Sequence, residues 1–134
     1  MADHDEIAKA MAGLGAIEAI DVEAALSAHT EWKRRLRDAV SRGYCEQDSG
    51  DVGRDDLCEL GRWLHSLPPE YGAASWCEDI VELHAHVHRD AAVVVQLIET
   101  GRIDEARVAM DPESEFARTS EDLVGMLEMW RDAA

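Results

Sequence analysis

Apolar residues recur at three- and four-residue intervals through most of the chain, and the two-residue alternation of a half-buried strand is nearly absent. This spacing is the periodicity of an amphipathic helix. It predicts helices over approximately Asp3–Ile20, Asp21–Arg42, Arg54–Ser66, Ala74–Thr100, Ile103–Met110 and Pro112–Arg131. The pattern therefore indicates an all-α chain.

Turn-forming residues separate the predicted helices. Asp21 is the predicted N-cap of the second helix, and Gly101 follows the predicted end of the long fourth helix. Residues Gly43–Gly53 are rich in turn formers and predict a loop, and Pro68-Pro69 breaks the third helix. Helices of this length with short connections predict an antiparallel four-helix bundle with one or two short extra helices.

Composition narrows the class of protein. The 134 residues predict a single domain over 1–134. Acidic residues outnumber basic ones 29 to 13 and give a net charge of -16, which argues against nucleic acid and against anionic membranes as partners. The acidic N-terminus does not resemble a signal peptide. Three cysteines without framework spacing favour a reducing cytoplasm, so we expect a cytoplasmic protein.

The segment Leu83-His84-Ala85-His86-Val87-His88 carries the first candidate chemistry. His84 and His88 are four residues apart, so in a helix they project from one face and can share a metal ion. His86 lies about half a turn away and is expected to face elsewhere. A pair of this kind on its own is equally compatible with an exposed helical surface.

Two other metal-capable side chains stand where the helical pattern calls for an apolar residue. His29 lies on the inner stripe of the second helix, and Cys58 lies near the start of the third. With His84 and His88 they make three imidazoles and one thiolate, a set that suits tetrahedral Zn²⁺. A core histidine and an inert buried thiol are the alternatives for these two positions. Cys77, about 10 Å along the helix from His84, cannot join them.

Three blocks of the sequence resemble the signatures of the chemoreceptor zinc-binding (CZB) domain family. They are His29-Thr30-Glu31-Trp32, Cys58-Glu59-Leu60-Gly61-Arg62-Trp63 and His84-x-x-x-His88. The resemblance implies a four-helix bundle that holds one zinc through His29, Cys58, His84 and His88. It also implies attachment to, or action on, chemoreceptor or diguanylate cyclase type signalling proteins, often as a homodimer.

The predicted function follows from the closure of this site. Four protein ligands leave no open position for a substrate, so we expect no enzyme. The lead hypothesis is a regulatory domain that reads cytoplasmic zinc, or oxidants through Cys58, and signals to a protein partner in chemotaxis or cyclic-di-GMP signalling. No output domain is visible in the chain, so we expect it to stand alone and act on a separate protein, with one domain cut from a longer chain as the alternative.

Two alternatives remain at this point. The first is a structural, zinc-stapled scaffold for dimerisation or docking. The second is a hemerythrin-like di-iron protein, which would need several inward carboxylates in Glu-x-x-His motifs. Glu31 and Glu82 lie near the ligand histidines but do not form that set.

Overall fold

A computed structural model describes residues 4–14 and 19–133, and every element among them is a helix, which confirms the all-α prediction. The helices are α1 (His4–Leu14), α2 (Ala19–Arg42), α3 (Ser49–Val52), α4 (Glu59–His65), α5 (Pro69–Gly72), α6 (Ser75–Glu99), α7 (Ile103–Ala109) and α8 (Glu115–Ala133). Within the described chain, no helix is long and apolar enough to cross a membrane.

The two longest helices end close to where the sequence predicts. After α2 the chain turns at Gly43, where φ is +71°, and after α6 it turns at Gly101, where φ is +78°. Glycine adopts this left-handed conformation without steric cost, which is why it ends helices so often. The start of α2 differs from the prediction, because the helix begins at Ala19 and includes Asp21 in its first turn.

The segment between α2 and α6 departs furthest from the prediction. The predicted loop contains α3, which begins because the Asp48 side chain accepts a hydrogen bond from the Asp51 amide at 2.8 Å. The third predicted helix begins five residues later than Arg54, at Glu59. The Pro68-Pro69 break is also the start of α5, since proline fits the first turn of a helix.

The last helix begins later than predicted, and the first predicted helix is described only in part. The hydroxyl of Ser114 accepts a hydrogen bond from the Ala117 amide at 3.2 Å, so α8 begins at Glu115 and Pro112 lies in the turn before it. The described part of the first helix is α1, and the rest of the predicted span up to residue 18 lies outside the described residues.

Helix α8 runs antiparallel to both α2 and α6. Its start contacts the middle of these helices, and its end contacts their N-terminal parts. The contacts that fix the directions are His29–Ser120, Glu23–Arg131, His86–Glu115 and Trp76–Trp130. The core between these helices has two distinct regions, which are an aromatic cluster at one end and a group of buried imidazoles near the middle.

The aromatic cluster forms around Trp130 of α8. Its ring centroid lies 5.0 Å from that of Trp76, 5.2 Å from Trp63 and 5.9 Å from Tyr71. These rings come from α4, α5 and α6, so Trp130 joins three helices to α8. Ring pairs at such distances contribute stability beyond the area that they bury.

We expect Trp130→Ala to destabilise the domain by about 3–5 kcal/mol, because it removes a fully buried ring and leaves a cavity. Equilibrium denaturation in urea, followed by circular dichroism, measures the change in the free energy of unfolding. The control is Val108→Ala, which alters an exposed side chain and is expected to change stability by less than about 0.5 kcal/mol. Equal effects of the two substitutions would contradict this account of the core.

Candidate metal centre

Helix α6 carries two histidines into the protein core. Only 1% of His84 and 2% of His88 is exposed, and their ring centroids lie 4.6 Å apart. They share the buried face of α6 with Ile80, Val87 and Ala91, at the three- and four-residue spacing of a core stripe. The sequence prediction that these two side chains face the same way is thus confirmed, and the surrounding stripe explains their burial.

Cys58 reaches the same place as the N-cap of α4. Its backbone is extended, with φ of -82° and ψ of 162°, and its Sγ accepts a hydrogen bond from the Gly61 amide at 3.2 Å. Sγ also lies 3.1 Å from Nε2 of His84. A sulfur at the N-terminus of a helix is in the position where backbone N–H groups favour a negative charge.

Cys58, His84 and His88 therefore converge, with one potential ligand atom from each lying within 4.8 Å of those of the other two. The Nδ1–H of His88 donates to the Val52 carbonyl at 2.7 Å, which leaves the lone pair on Nε2 available to a metal. Nδ1 of His84 is buried without a hydrogen-bond partner in the described structure. A buried polar atom of this kind is costly unless a ligand satisfies it.

Burial controls the protonation of these groups. It is the main cause that lowers the pKa of His84 to about 4, and it also lowers the pKa of His88. Burial raises the pKa of the Cys58 thiol, against the opposing effect of the Gly61 amide. At neutral pH the imidazoles are therefore uncharged and able to bind a cation, whereas the sulfur needs a cation to favour its thiolate form.

Gly61 allows α4 to approach the histidines closely. A Cβ atom at this position would overlap the backbone carbonyl oxygen of Asp55 and would lie 3.0 Å from Cε1 of His84. The glycine of the Cys-x-x-Gly block is thus required by the close contact of backbone and ring. The backbone N–H of the same residue donates a hydrogen bond to Sγ of Cys58, the N-cap of α4.

The fourth predicted ligand, His29, lies beside this group but outside the 4.8 Å set. It is 3% exposed, and its Nε2 and the Oγ of Ser120 are hydrogen-bonded at 3.0 Å. Its ring stacks on Trp32, whose own centroid lies 4.5 Å from that of His88. Burial is the main cause that lowers the pKa of His29 to about 3, with smaller contributions from Lys33 and the two other histidines.

Two partners of these histidines could not be found from the sequence. The Val52 carbonyl is a backbone group in a segment that the sequence predicts as loop, so no side-chain pattern indicates it. Ser120 carries a weak signal, because it and Thr119 are the polar residues on the mostly apolar buried face of α8. The other cysteines do not belong to the 4.8 Å set, since Cys77 is buried elsewhere on α6 and Cys45 is half-buried after α2, where it lines the same cleft as Cys58.

The family model described as the chemoreceptor zinc-binding domain matches residues 29–95, half of the chain. The chain belongs to this family. The matched segment begins at His29 and contains Cys58, His84 and His88, so the family match and the converging side chains coincide. No curated protein and no solved structure matches the chain.

Zinc is the metal that this CZB domain binds, and the residues present suit it. Imidazole nitrogen and thiolate sulfur are the ligands that Zn²⁺ prefers, and the two neutral histidines and one thiolate neutralise only part of its charge. Cys58 Sγ, which accepts a hydrogen bond from the Gly61 amide, faces Nε2 of His84 at 3.1 Å, so a thiolate and an imidazole nitrogen meet where a cation would bind.

We expect Gly61→Ala to weaken zinc binding by about 10- to 100-fold, because the added methyl group would overlap the Asp55 carbonyl and crowd His84, which displaces α4 from the site. Competition with a zinc chelator measures the affinity. The matched control is Gly125→Ala in the exposed part of α8, where an added Cβ meets nothing within 4 Å. This control should keep the parent affinity and gain about 0.5–1 kcal/mol of stability. Parent-like zinc binding by Gly61→Ala would show that the close approach is unnecessary.

Proposed function

We propose that this domain holds one Zn²⁺ through His29, Cys58, His84 and His88 and that the state of this centre regulates a signalling partner. The observation that carries the proposal is the convergence of Cys58, His84 and His88 from α4 and α6 in the segment that matches the CZB family. Binding zinc between these helices would fix the position of α4 against α6.

His29 is the proposed fourth ligand because of its environment. It is buried next to Trp32, which packs on His88, and it lies near enough to His84 and His88 for a positive charge on either ring to lower its pKa. If Nε2–H donates to Ser120, the Nδ1 lone pair of His29 is free for a metal. Four protein ligands around Zn²⁺ would leave no position for a substrate, which supports a sensory or regulatory site without catalytic activity.

Cys58 is the ligand through which an oxidant would act. It is half-buried and lines a cleft of about 790 Å³ that also reaches His29 and His88. A peroxide would transfer one oxygen to the sulfur with cleavage of its O–O bond, and the other oxygen would leave as water or hydroxide. The sulfenic acid formed would be a poorer zinc ligand. Since the same sulfur caps α4, oxidation would weaken both the zinc bond and the start of the helix.

The helices of the bundle, the extent of the domain, its partner and its oligomeric state also belong to this proposal. We place the four-helix bundle of the family in α1, α2, α6 and α8, supported by the antiparallel packing of α8 on α2 and α6. One core extends from Met11 to Trp130, which supports a single domain over residues 1–134. The proposed partner is a chemoreceptor or diguanylate cyclase type signalling protein in the cytoplasm, and a homodimer is the proposed form.

A purely structural zinc scaffold is the second candidate. It is favoured by the deep burial of His84 and His88, because a metal at that depth can contribute directly to folding. The sensor and the scaffold differ in how the helices respond to the removal of zinc.

The ligand set is tested by zinc affinity as a function of pH. Zinc binding should displace one proton, that of Cys58, because the histidines are already neutral. The apparent affinity should therefore rise by about tenfold per pH unit between about pH 6 and pH 8. Cys58→Ala should bind more weakly and lose most of this slope. His84→Ala and His29→Gln should lower the affinity by at least about tenfold.

Two variants serve as controls in the same titration. His65→Gln changes an exposed histidine that pairs with Asp55 at 3.6 Å and should keep the parent affinity. Ser120→Ala removes the hydrogen bond to His29 and should reduce the affinity less than His29→Gln does. Parent-like affinity in Cys58→Ala and His84→Ala would contradict the proposed zinc centre, and parent-like affinity in His29→Gln alone would remove the fourth ligand.

Hydrogen exchange separates the sensor from the scaffold. On removal of zinc with a chelator, a sensor should keep its far-ultraviolet circular dichroism while amides 59–65 of α4 exchange faster and those of α8 stay protected. Cys58→Ala should show the fast α4 exchange with or without zinc. Loss of helicity throughout the chain, or unchanged exchange in α4, would instead favour the scaffold.

A further inference from the structure

A second group of metal-capable side chains lies on the opposite side of α6 from the zinc centre. It consists of His86 and Asp90 on α6 and Glu115 in the first turn of α8, and one potential ligand atom from each lies within 4.8 Å of the others. His86 and Asp90 are four residues apart, like His84 and His88, but are offset from them by two residues. That offset turns them by roughly 200° around the helix axis.

The hydrogen bonding within this group is incomplete. Nε2–H of His86 donates to Oε1 of Glu115 at 3.1 Å, while Oδ2 of Asp90 lies 3.4 Å from the same nitrogen. One imidazole nitrogen has a single proton, so it cannot satisfy both carboxylates. Oδ2 of Asp90 is accordingly buried without a hydrogen-bond partner among the described residues, although 18% of the side chain as a whole is exposed.

Neighbouring arginines make no direct ion pair with the two carboxylates among the described residues, although Arg89 acts on Asp90 at a longer distance. Arg89 forms no ion pair with either of them in the described structure, and the guanidinium of Arg118 donates to the backbone carbonyl of Glu113 instead. The histidine can neutralise at most one carboxylate, and only when it is protonated. A divalent cation would balance both charges and would accept electron pairs from all three side chains at once.

We propose that His86, Asp90 and Glu115 form a second binding site for a divalent transition-metal cation, which links α6 to α8. One nitrogen and two carboxylate oxygens suit Mn²⁺, Fe²⁺ or Zn²⁺, whereas Ca²⁺ and Mg²⁺ prefer oxygen ligands alone. Glu115 is 72% exposed, so water can complete the coordination. A chain with this site would have metal ions on two sides of the same helix.

Mn²⁺ is a suitable probe because it binds nitrogen and sulfur ligands more weakly than Zn²⁺ does and leaves a zinc-filled centre intact. The full chain is first loaded with one equivalent of Zn²⁺. Mn²⁺ is then titrated at physiological ionic strength, which screens diffuse attraction to the acidic surface. The electron paramagnetic resonance signal gives the concentration of free Mn²⁺, and the amount bound follows by difference from the total. The expected result is one Mn²⁺ bound per chain.

Three variants locate the bound Mn²⁺. Asp90→Asn, His86→Gln and Glu115→Gln should each weaken its binding by at least about tenfold. Asp122→Asn, which removes one exposed charge from α8, should leave it unchanged. Because Glu115 is exposed, its variant should keep the parent fold, which circular dichroism checks. Absence of stoichiometric binding to the parent, or equal weakening by Asp122→Asn and Glu115→Gln, would overturn the proposal.

Discussion

The burial of uncharged imidazoles is the constraint on which the centre of this domain depends. His29, His84 and His88 lie where an ordinary helical protein would place leucine or valine, and each carries two polar ring nitrogens into that space. Val52 and Ser120 satisfy part of this demand from α3 and α8. Nε2 of His84 lies against the Cys58 sulfur, and its Nδ1 is buried without a hydrogen-bond partner among the described residues. The short helices α3 and α4 are therefore as necessary to the centre as the long ones.

The long helices and the candidate ligands could be predicted from the sequence because they depend on local spacing. The four-residue interval of His84 and His88 lies within one helix. Gly43 and Gly101 each end the helix that directly precedes them. The start of α4 could not be predicted in this way. Cys58 caps that helix, and cysteine is not among the usual capping residues, so the pattern predicts an earlier start at Arg54. Asp48 at the start of α3 is a usual cap, but the turn formers around it obscured so short a helix.

Contacts between distant residues were beyond prediction for a different reason. Helical spacing predicts that His86 faces away from His84 and His88, and it does so in the structure, but its partner Glu115 lies 29 residues further along the chain. Likewise, Ser120 lies 91 residues from His29. Such pairs depend on the register of α8 against its neighbours, and that register is set by the packing of Trp130, Leu127 and Leu123 rather than by any local motif.

Trp63 connects α4 to α8. Cys58 and Trp63 are five residues apart, so their positions are separated by about 7.5 Å along the axis of α4. The indole rests against Trp130 of α8, 5.2 Å between ring centres. A tilt of α4 caused by a change at the Cys58 sulfur would be transmitted to α8 through the rings of Trp63 and Trp130. The intrinsic fluorescence of those indoles would register such a tilt without any added label.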